Sequence, residues 1–489
     1  MRNRFEQQYS IGRRLIKDTP IKLKYKDKLD ELIAAMKAIY CHPEYNQRLF
    51  AVLERYLVEN KKKTGRKGMD LWCIFVLSQV RLCLNMDYGW VYNLANNHLS
   101  IRWLMGVETE YSFKRIEFSY QNIYDNVTLF NDEMVKEINS IVLEFGHGEV
   151  FKKKETAALR LKTDSFVVES NVHFPTDYNL LWDSARKCID GVCVFLGKYK
   201  NLQGWRKIKS WKSELKGLMR ELGKASASGG KGKEQREAKA ASSYISKATA
   251  LYAKLEKGLP QLPIADNQDL ALVISLEYFM QLLLKHIDLV TRRIIKGETI
   301  PHEEKMFSIF ETYTEWIKKG KSRPSVELGK KLAITTDQFD LIVDYQVMEY
   351  EQDRDIVIAL ADRLLAKYKI DSWSFDKGYW GKENKQLLQL EIPKVIMPKL
   401  GKRNKQEEAE ETSRPFKRLK NKHSAIESNI NELEHRGLDS CPDRGYPHFK
   451  NYISLGICAY NLKKIGSKLL EEERERLRIQ GQSRPRIAA

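Results

Sequence analysis

Hydrophobic side chains recur at helical spacing through the first third of the chain. Between residues 29 and 150 they return every three or four positions, as at Leu29, Leu32 and Ile33. This spacing places apolar side chains on one face of a helix, so it predicts an all-α N-terminal block. A basic loop at residues 61–67 interrupts the block.

The hydrophobic period changes after residue 150. Leu159, Leu161 and Thr163 alternate with polar neighbours up to Asp164, and this period of two predicts a strand. In the later segments the hydrophobic side chains recur with either a strand period or a helix period. They predict a hairpin (331–335 with 339–347), a helix (355–367), two strands (371–375 and 394–398), a helix (417–436) and a final helix (452–470).

A long helical stretch separates the first strand from the hairpin. Residues 266–295 and 302–318 each show an apolar helical stripe, and 225–233 has the composition of a flexible polar linker. Residues 399–414 mix charges of both signs and are predicted to form a loop. The pattern therefore predicts an α/β core, a mixed sheet with flanking helices, that a helical insertion splits.

A chain of 489 residues is too long for one small core and predicts several domains. The predicted parts follow the changes of period and charge. They are a basic arm (1–28), a helical N-terminal domain (29–150) whose basic loop could contact a phosphate backbone, an α/β core (151–199 with 320–460), a helical insertion (200–319), and a C-terminal helix with a charged tail (461–489).

The charge of the chain points to a polyanionic partner. There are 84 Lys and Arg residues against 65 Asp and Glu residues, a formal net charge of +19. Nucleic acid is the leading candidate, and a merely basic soluble surface is the alternative. The seven cysteines contain no Cys-x-x-Cys pair, which is typical of a reduced cytosolic protein.

No segment predicts a membrane span. The apolar stretch 71–86 contains Gln79 and Arg81 and is too short to cross a bilayer, so it is interpreted as a buried helix. The first residues also lack the apolar run of a signal peptide.

Three acidic residues are the candidates for chemistry: Asp164 in the first strand, Asp376 at a strand end, and Glu427 on a helix. Carboxylates from separate elements can hold two divalent cations for phosphoryl transfer. Each has a simpler alternative. Asp164 would be a solvated edge-strand residue, Asp376 would stabilise the turn before Gly378, and Glu427 would close a capping box with Ser424.

The phrases around these acids resemble the DDE transposases of bacterial insertion sequences, which have an RNase H-like catalytic core. The resemblance covers nearly the whole chain. It is carried by Gly65-Arg66-Lys67-Gly68, Thr163-Asp164 with Glu169, Asn171 and Pro175-Thr176-Asp177, Phe375-Asp376-Lys377-Gly378-Tyr379, His423-Ser424-Ala425-Ile426-Glu427-Ser428, Gly437-Leu438, and Asp443-Arg444-Gly445.

The resemblance implies that Asp164, Asp376 and Glu427 bind two Mg²⁺ or Mn²⁺ ions and form the catalytic triad. It implies cleavage of DNA at terminal inverted repeats by water, followed by attack of the freed 3′-hydroxyl on target DNA. We accordingly expect DNA as the partner, a homodimer on DNA, no membrane, and a cytoplasmic, nucleoid-associated location. A non-catalytic DNA-binding protein derived from a transposase and an RNase H-like nuclease are the alternatives.

The helix of Glu427 departs from the common family pattern. Many relatives carry Tyr and Arg before the Glu and Lys after it, whereas this chain has Lys420, His423 and Glu434. His423 is therefore a candidate DNA contact in place of the Arg. The other candidate contacts are Lys61, Lys62, Lys63, Arg66, Lys67, Lys402, Arg403, Lys417, Arg418, Lys420 and Lys422, which would bind phosphates.

Overall fold

A computed structural model describes residues 2, 4, 14–23, 28–59, 68–109, 115–200, 202–318 and 325–482. Most of the predicted basic arm, and the basic loop with Lys61, Lys62, Lys63, Arg66 and Lys67, lie outside the described residues. The chain divides into two compact units. The first unit comprises Met1–Asn171 and Ile317–Ala489, and the second comprises Val172–Trp316.

The described part of the chain begins with helices only, and strands occur from residue 159 onwards. The helices are α1 (Lys28–Cys41), α2 (Pro43–Leu57), α3 (Leu71–Cys83), α4 (Tyr88–Asn97), α5 (Leu99–Leu104), α6 (Tyr120–Val127), α7 (Asp132–Phe145), α8 (Asp177–Lys198), α9 (Ile208–Ala227), α10 (Lys233–Gly258), α11 (Asn267–Val290), α12 (Val357–Leu365), α13 (Lys382–Glu391), α14 (Lys405–Thr412), α15 (Arg414–His423), α16 (Ala425–Leu433) and α17 (Tyr446–Gln482). The strands are β1 (Leu159–Glu169), β2 (Glu315–Lys318), β3 (Val326–Thr336), β4 (Ile342–Val347), β5 (Ile370–Phe375) and β6 (Lys394–Ile396).

A mixed sheet forms the core of the first unit. β1 pairs antiparallel with β3 and parallel with β5. β3 also pairs antiparallel with β4, and β5 pairs parallel with β6. The order β4-β3-β1-β5-β6 confirms the prediction of a mixed sheet, and the hairpin, the first strand and the strand before Asp376 form where the period of two predicts them.

The helices of the N-terminal segment pack around the last helix. α1, α3 and α7 all lie against α17, whose buried face includes Ile453, Ile457 and Ile465. Asn461 of α17 connects this helical layer to the sheet, because its side chain accepts from Ile342 N at 2.8 Å and donates to Ile342 O at 3.0 Å. The stretch predicted as a buried apolar helix is α3, and every residue in it is buried.

The second unit has its own hydrophobic core. α8, α9, α10 and α11 pack together through residues such as Leu181, Leu215, Leu251 and Leu283. α8 belongs to this unit, although the sequence prediction places residues 151–199 in the α/β core. Its apolar side chains have their partners on α9 and α11 of the same unit.

One helix of the second unit is long and apolar. Among the described residues, Asn267–Ile295 has the length and composition to cross a membrane. It also contributes Val273, Leu276 and Leu283 to the core of the unit. A single helix of this kind is weak evidence for a membrane span, because core helices also meet the criteria of length and composition; about a third of its apolar window is buried.

The helix predicted at 302–318 is wrong. Only a short 3₁₀ turn forms there, at His302–Glu304, and the chain then enters the strand β2. The Ser308 hydroxyl accepts hydrogen bonds from the backbone N–H groups of Phe310 and Glu311, which favours a turn over a helix. Of the aromatic residues spaced like a helical stripe, Phe307 packs instead against Trp316, with the two ring centroids 5.6 Å apart.

The charged segment 399–414 is not simply a loop. It contains α14, which begins at a capping box between Asn404 and Glu407. The predicted charged tail is also helical as far as Gln482, since α17 continues beyond residue 470. Pairs such as Arg478 with Glu475 lie one turn apart there and stabilise the exposed helix.

Candidate active site

The register between β1 and β5 brings two of the candidate acids together. Thr163 is the parallel partner of Phe375, and Asp164 and Asp376 each come one residue later. Because side chains alternate along a strand and Lys162 pairs with Ser374, Asp164 and Asp376 share one face of the sheet. Asp376 directly follows the carboxyl end of β5, where open α/β sheets place functional groups, whereas Asp164 lies in the middle of the longer strand β1.

The third acid comes from a helix that covers this face. α16 contacts β1, and α15 contacts β5 and β6. Ile426 and Asn429 are buried beneath α16, whereas Glu427 is exposed in its first turn. Both Asn429 Nδ2, at 3.4 Å, and Lys162 Nζ, at 3.2 Å, donate to Asp340 Oδ1, and this shared carboxylate fixes α16 on β1.

The capping-box interpretation of Glu427 is wrong. Ser424 has helical backbone angles, and its side chain makes no capping hydrogen bond. Its hydroxyl instead donates to Asn421 O at 2.7 Å, inside the continuous turn from α15 to α16. The Glu427 carboxylate is therefore not committed to a helix start.

The charges of the neighbouring acids affect the pKa of Asp164. Burial raises the pKa of Asp164 to about 7, and the negative charges of Asp376, Asp353 and Glu427 add to this shift. The Ser165 backbone N–H, which donates to Asp164 Oδ1 at 2.8 Å, works in the opposite direction. The site therefore concentrates negative charge that a cation would neutralise.

His423 joins α15 to the same face. Its Nδ1 lies 3.0 Å from Ser374 Oγ. Its Nε2 is buried and has no hydrogen-bond partner within the described ranges. Burial lowers the pKa of His423 to about 4, although the charge of Asp376 opposes this shift, so the imidazole is neutral at physiological pH.

Asp353 is a site residue that the sequence prediction does not include. It lies in the connection between β4 and α12, where its Oδ1 accepts from Ser165 Oγ at 2.7 Å and its Oδ2 accepts from Lys331 Nζ at 3.1 Å. Ser165 thus connects Asp353 to Asp164. In the sequence Asp353 stands in a run of charged loop residues, and nothing in that run distinguishes it from a surface acid.

Tyr379 is a second site residue that the sequence prediction does not include. Its position in the segment that follows Asp376 could have indicated it. Its ring is 1 % exposed and packs 5.6 Å from the ring of Phe375. Burial raises the pKa of the Tyr379 phenol well above its usual value, and the charges of Asp353, Asp164 and Asp376 contribute. The phenol therefore lies near enough to these carboxylates for their charges to act on it.

The candidate DNA contacts that the structure describes fall into two groups. Lys417, Arg418, Lys420 and Lys422 are exposed on α15, the helix that leads to Glu427. Lys402 and Arg403 precede α14, and Arg403 Nε donates to Glu411 Oε2 at 2.7 Å. The positive charge of Arg403 is thus neutralised by Glu411 within the protein.

The donor set suits a hard cation, because Asp164, Asp376 and Glu427 offer only carboxylate oxygens, which Mg²⁺ and Mn²⁺ prefer. Within the part of the chain that the structure describes, no three His, Cys, Asp or Glu side chains are close enough together to hold a metal ion as they stand. The fit to a cation therefore rests on the shared face, the chemistry of the donors and the mutual effect of the carboxylates on Asp164.

Comparison with protein-family models, with curated proteins and with solved structures finds no match for this chain.

Proposed function

We propose that this chain is a DDE transposase that cleaves DNA at the ends of a mobile element and joins them to target DNA. The observation that carries the proposal is the β1–β5 register, which puts Asp164, in the middle of β1, beside Asp376 at the end of β5. Glu427 comes to the same face on α16, and its charge acts on Asp164. Two aspartates and a glutamate from these separate elements are the arrangement that the sequence resemblance implies.

The fold supports the same proposal. An antiparallel run β4-β3-β1 followed by the parallel strands β5 and β6 is the topology expected of an RNase H-like core. In this interpretation the compact unit Val172–Trp316 is a helical insertion between the first strand of the core and its hairpin. The helices around α17 would be the DNA-binding part, and the protein would act as a homodimer on DNA in the cytoplasm, associated with the nucleoid.

Each residue of the site has a distinct part in this proposal. Asp164, Asp376 and Glu427 would hold two Mg²⁺ or Mn²⁺ ions, which supply charge stabilisation for phosphoryl transfer. Asp164 must lose its proton to bind a cation, and its raised pKa means that this step depends on pH near neutrality. Ser165 orients the Asp164 carboxylate, while neutral His423 holds α15 against β5.

Single substitutions of the triad test the proposal. Asp164→Asn, Asp376→Asn and Glu427→Gln should each abolish Mg²⁺- or Mn²⁺-dependent cleavage of the element ends and retain DNA binding. Asp362→Asn on α12 and Glu408→Gln on α14 are matched controls, because both acids are exposed and lie outside the site. Full cleavage by any of the triad variants would remove that residue from the active site.

A strand-joining assay separates a transposase from a nuclease. A pre-cut end with a free 3′-hydroxyl is incubated with supercoiled target DNA and Mg²⁺, and covalent joint molecules are measured. A transposase forms them, whereas an RNase H-like nuclease cuts without joining. DNA binding without any nicking would identify a non-catalytic DNA-binding protein.

A further inference from the structure

A groove of about 630 Å³ lies on the same sheet face as the candidate acids. Its floor comes from β1, β5 and β6, and its roof comes from α15 and the start of α16. Five cationic side chains line it, namely Arg160, Lys162, Lys394, Arg418 and Lys422. We call this feature the basic groove.

The strand registers make the basic groove continuous with the candidate active site. Arg160, Lys162 and Asp164 are alternate residues of β1 and therefore project from one face. Their neighbours on β5 are Ser372, Ser374 and then Asp376, in the same order. At about 3.3 Å per residue, Arg160 is roughly 13 Å from Asp164 along the strand. A chain of phosphates that passes over Asp164 can thus continue into the groove.

The charge of the groove is available for a ligand. Lys162 pairs with Asp340 at 3.2 Å, and Lys394 pairs with Asp371 at 2.8 Å, so the two acids that line the groove are each matched by a lysine. The side chains of Arg160, Arg418 and Lys422 are exposed and form no ion pair with any residue that the structure describes. Three positive charges from β1 and α15 therefore remain uncompensated around one cavity.

We propose that the basic groove binds the phosphodiester backbone of a single DNA strand beside the scissile phosphate. This inference rests on the proposed function and adds to it the form of DNA at the site. A volume of about 630 Å³ is of the size that holds a small ligand. Duplex DNA, whose major groove alone is about 12 Å wide, is much larger than a cavity of this volume. Cationic side chains on both the strands and α15 could contact the phosphates of a single strand from two sides.

Removal of the three uncompensated charges tests the inference. The variant Arg160→Gln/Arg418→Gln/Lys422→Gln keeps most of the side-chain length and is compared with Arg206→Gln/Lys216→Gln/Arg220→Gln. The control removes the same residue types from exposed positions of the second unit. Fluorescence anisotropy with labelled oligo-dT, and with a duplex of equal length, is recorded in EDTA over a range of KCl concentrations. Circular dichroism and thermal melting establish that both variants are folded.

We expect the groove variant to bind oligo-dT at least tenfold more weakly than the wild-type protein. The slope of log K against log salt should fall by about 2, since each phosphate contact on a single strand contributes roughly 0.7. Affinity for the duplex should change much less, and the control variant should match the wild type. Unchanged affinity for oligo-dT, or an equal loss for oligo-dT and duplex, would overturn the inference.

The outcome is separable from that of the proposed function, because binding in EDTA does not require cleavage. Groove-dependent binding of oligo-dT by a wild-type protein that never cuts DNA would support the groove and contradict the transposase. If the wild-type protein cleaves DNA and the groove substitutions leave the oligo-dT affinity unchanged, the proposed function would be supported and the role of the groove contradicted.

Discussion

The Ser165 hydroxyl donates a hydrogen bond of 2.7 Å to Asp353, while the Ser165 backbone N–H donates to Asp164 at 2.8 Å. One residue of β1 therefore joins the first candidate ligand to an acid in the β4–α12 connection. Lys331 of β3 neutralises Asp353 from the other side, at 3.1 Å. This arrangement fixes the middle of β1, which carries Asp164.

Asp353 is predicted to act as a positioning residue. Asp353→Asn or Ser165→Ala should slow Mg²⁺-dependent DNA cleavage roughly tenfold to a hundredfold, as loss of outer-shell partners does in metal sites. The apparent affinity for DNA should stay the same, and cleavage should recover partly at high Mn²⁺ concentration. Asp355→Asn, an exposed acid two residues away, is the control. Equal kcat for Asp353→Asn and the wild type would show that Asp353 has only a structural role.

The stability of the protein should depend on pH through Asp164. The pKa of Asp164 is about 7 in the folded protein and near 4 in an unfolded chain. Between these values the folded state holds a proton that the unfolded state has lost, so the free energy of unfolding decreases as the pH rises from about 4 to about 7. Asp164→Asn removes this dependence, which is on the order of 4 kcal/mol. Urea denaturation in EDTA at several pH values measures it, and parallel curves for both proteins would contradict the prediction.

Divalent cations should stabilise the folded protein at pH 8. Mg²⁺ or Mn²⁺ binding to the folded state alone raises the melting temperature, and it relieves the repulsion that Asp376 and Glu427 exert on Asp164. The increase should be lost in Asp164→Asn and Asp376→Asn and retained in Asp362→Asn. Ca²⁺ takes the same oxygen ligands, so it should also raise the melting temperature, whether or not it supports cleavage. A melting temperature that rises equally in all variants would indicate cation binding elsewhere.

The packing of α1 on α17 should not tolerate a side chain at Gly466. A Cβ atom there would lie 1.7 Å from the Glu31 carbonyl oxygen, so the two helices would have to separate. Gly466→Ala is expected to lower the free energy of unfolding by at least about 2 kcal/mol. Gly217→Ala, within α9 and with open space around the new methyl group, should instead raise it by about 0.5–1 kcal/mol. Chemical denaturation compares the two, and a neutral Gly466→Ala would contradict the close helix contact.

Local patterns account for most of the elements. The alternation through Leu159, Leu161 and Thr163 predicts β1, because a half-buried strand needs a period of two. The same logic fails at 302–318, where Phe307, Phe310 and Tyr313 are spaced like a helix but the Ser308 hydroxyl stabilises a turn. It also fails at Ser424, which keeps helical backbone angles between α15 and α16 and whose side chain makes no capping hydrogen bond.

By itself the sequence determined the candidate acids, the excess of positive charge and the helix or strand character around each acid, because these depend on residue type and short-range spacing. Only the tertiary structure decided that Thr163 pairs with Phe375, that Asp353 reaches Ser165, and that Arg160 and Arg418 line one groove. Each of these relationships joins segments far apart in the chain. They depend on strand register and helix docking, which the packing of the whole core selects and which no local pattern encodes.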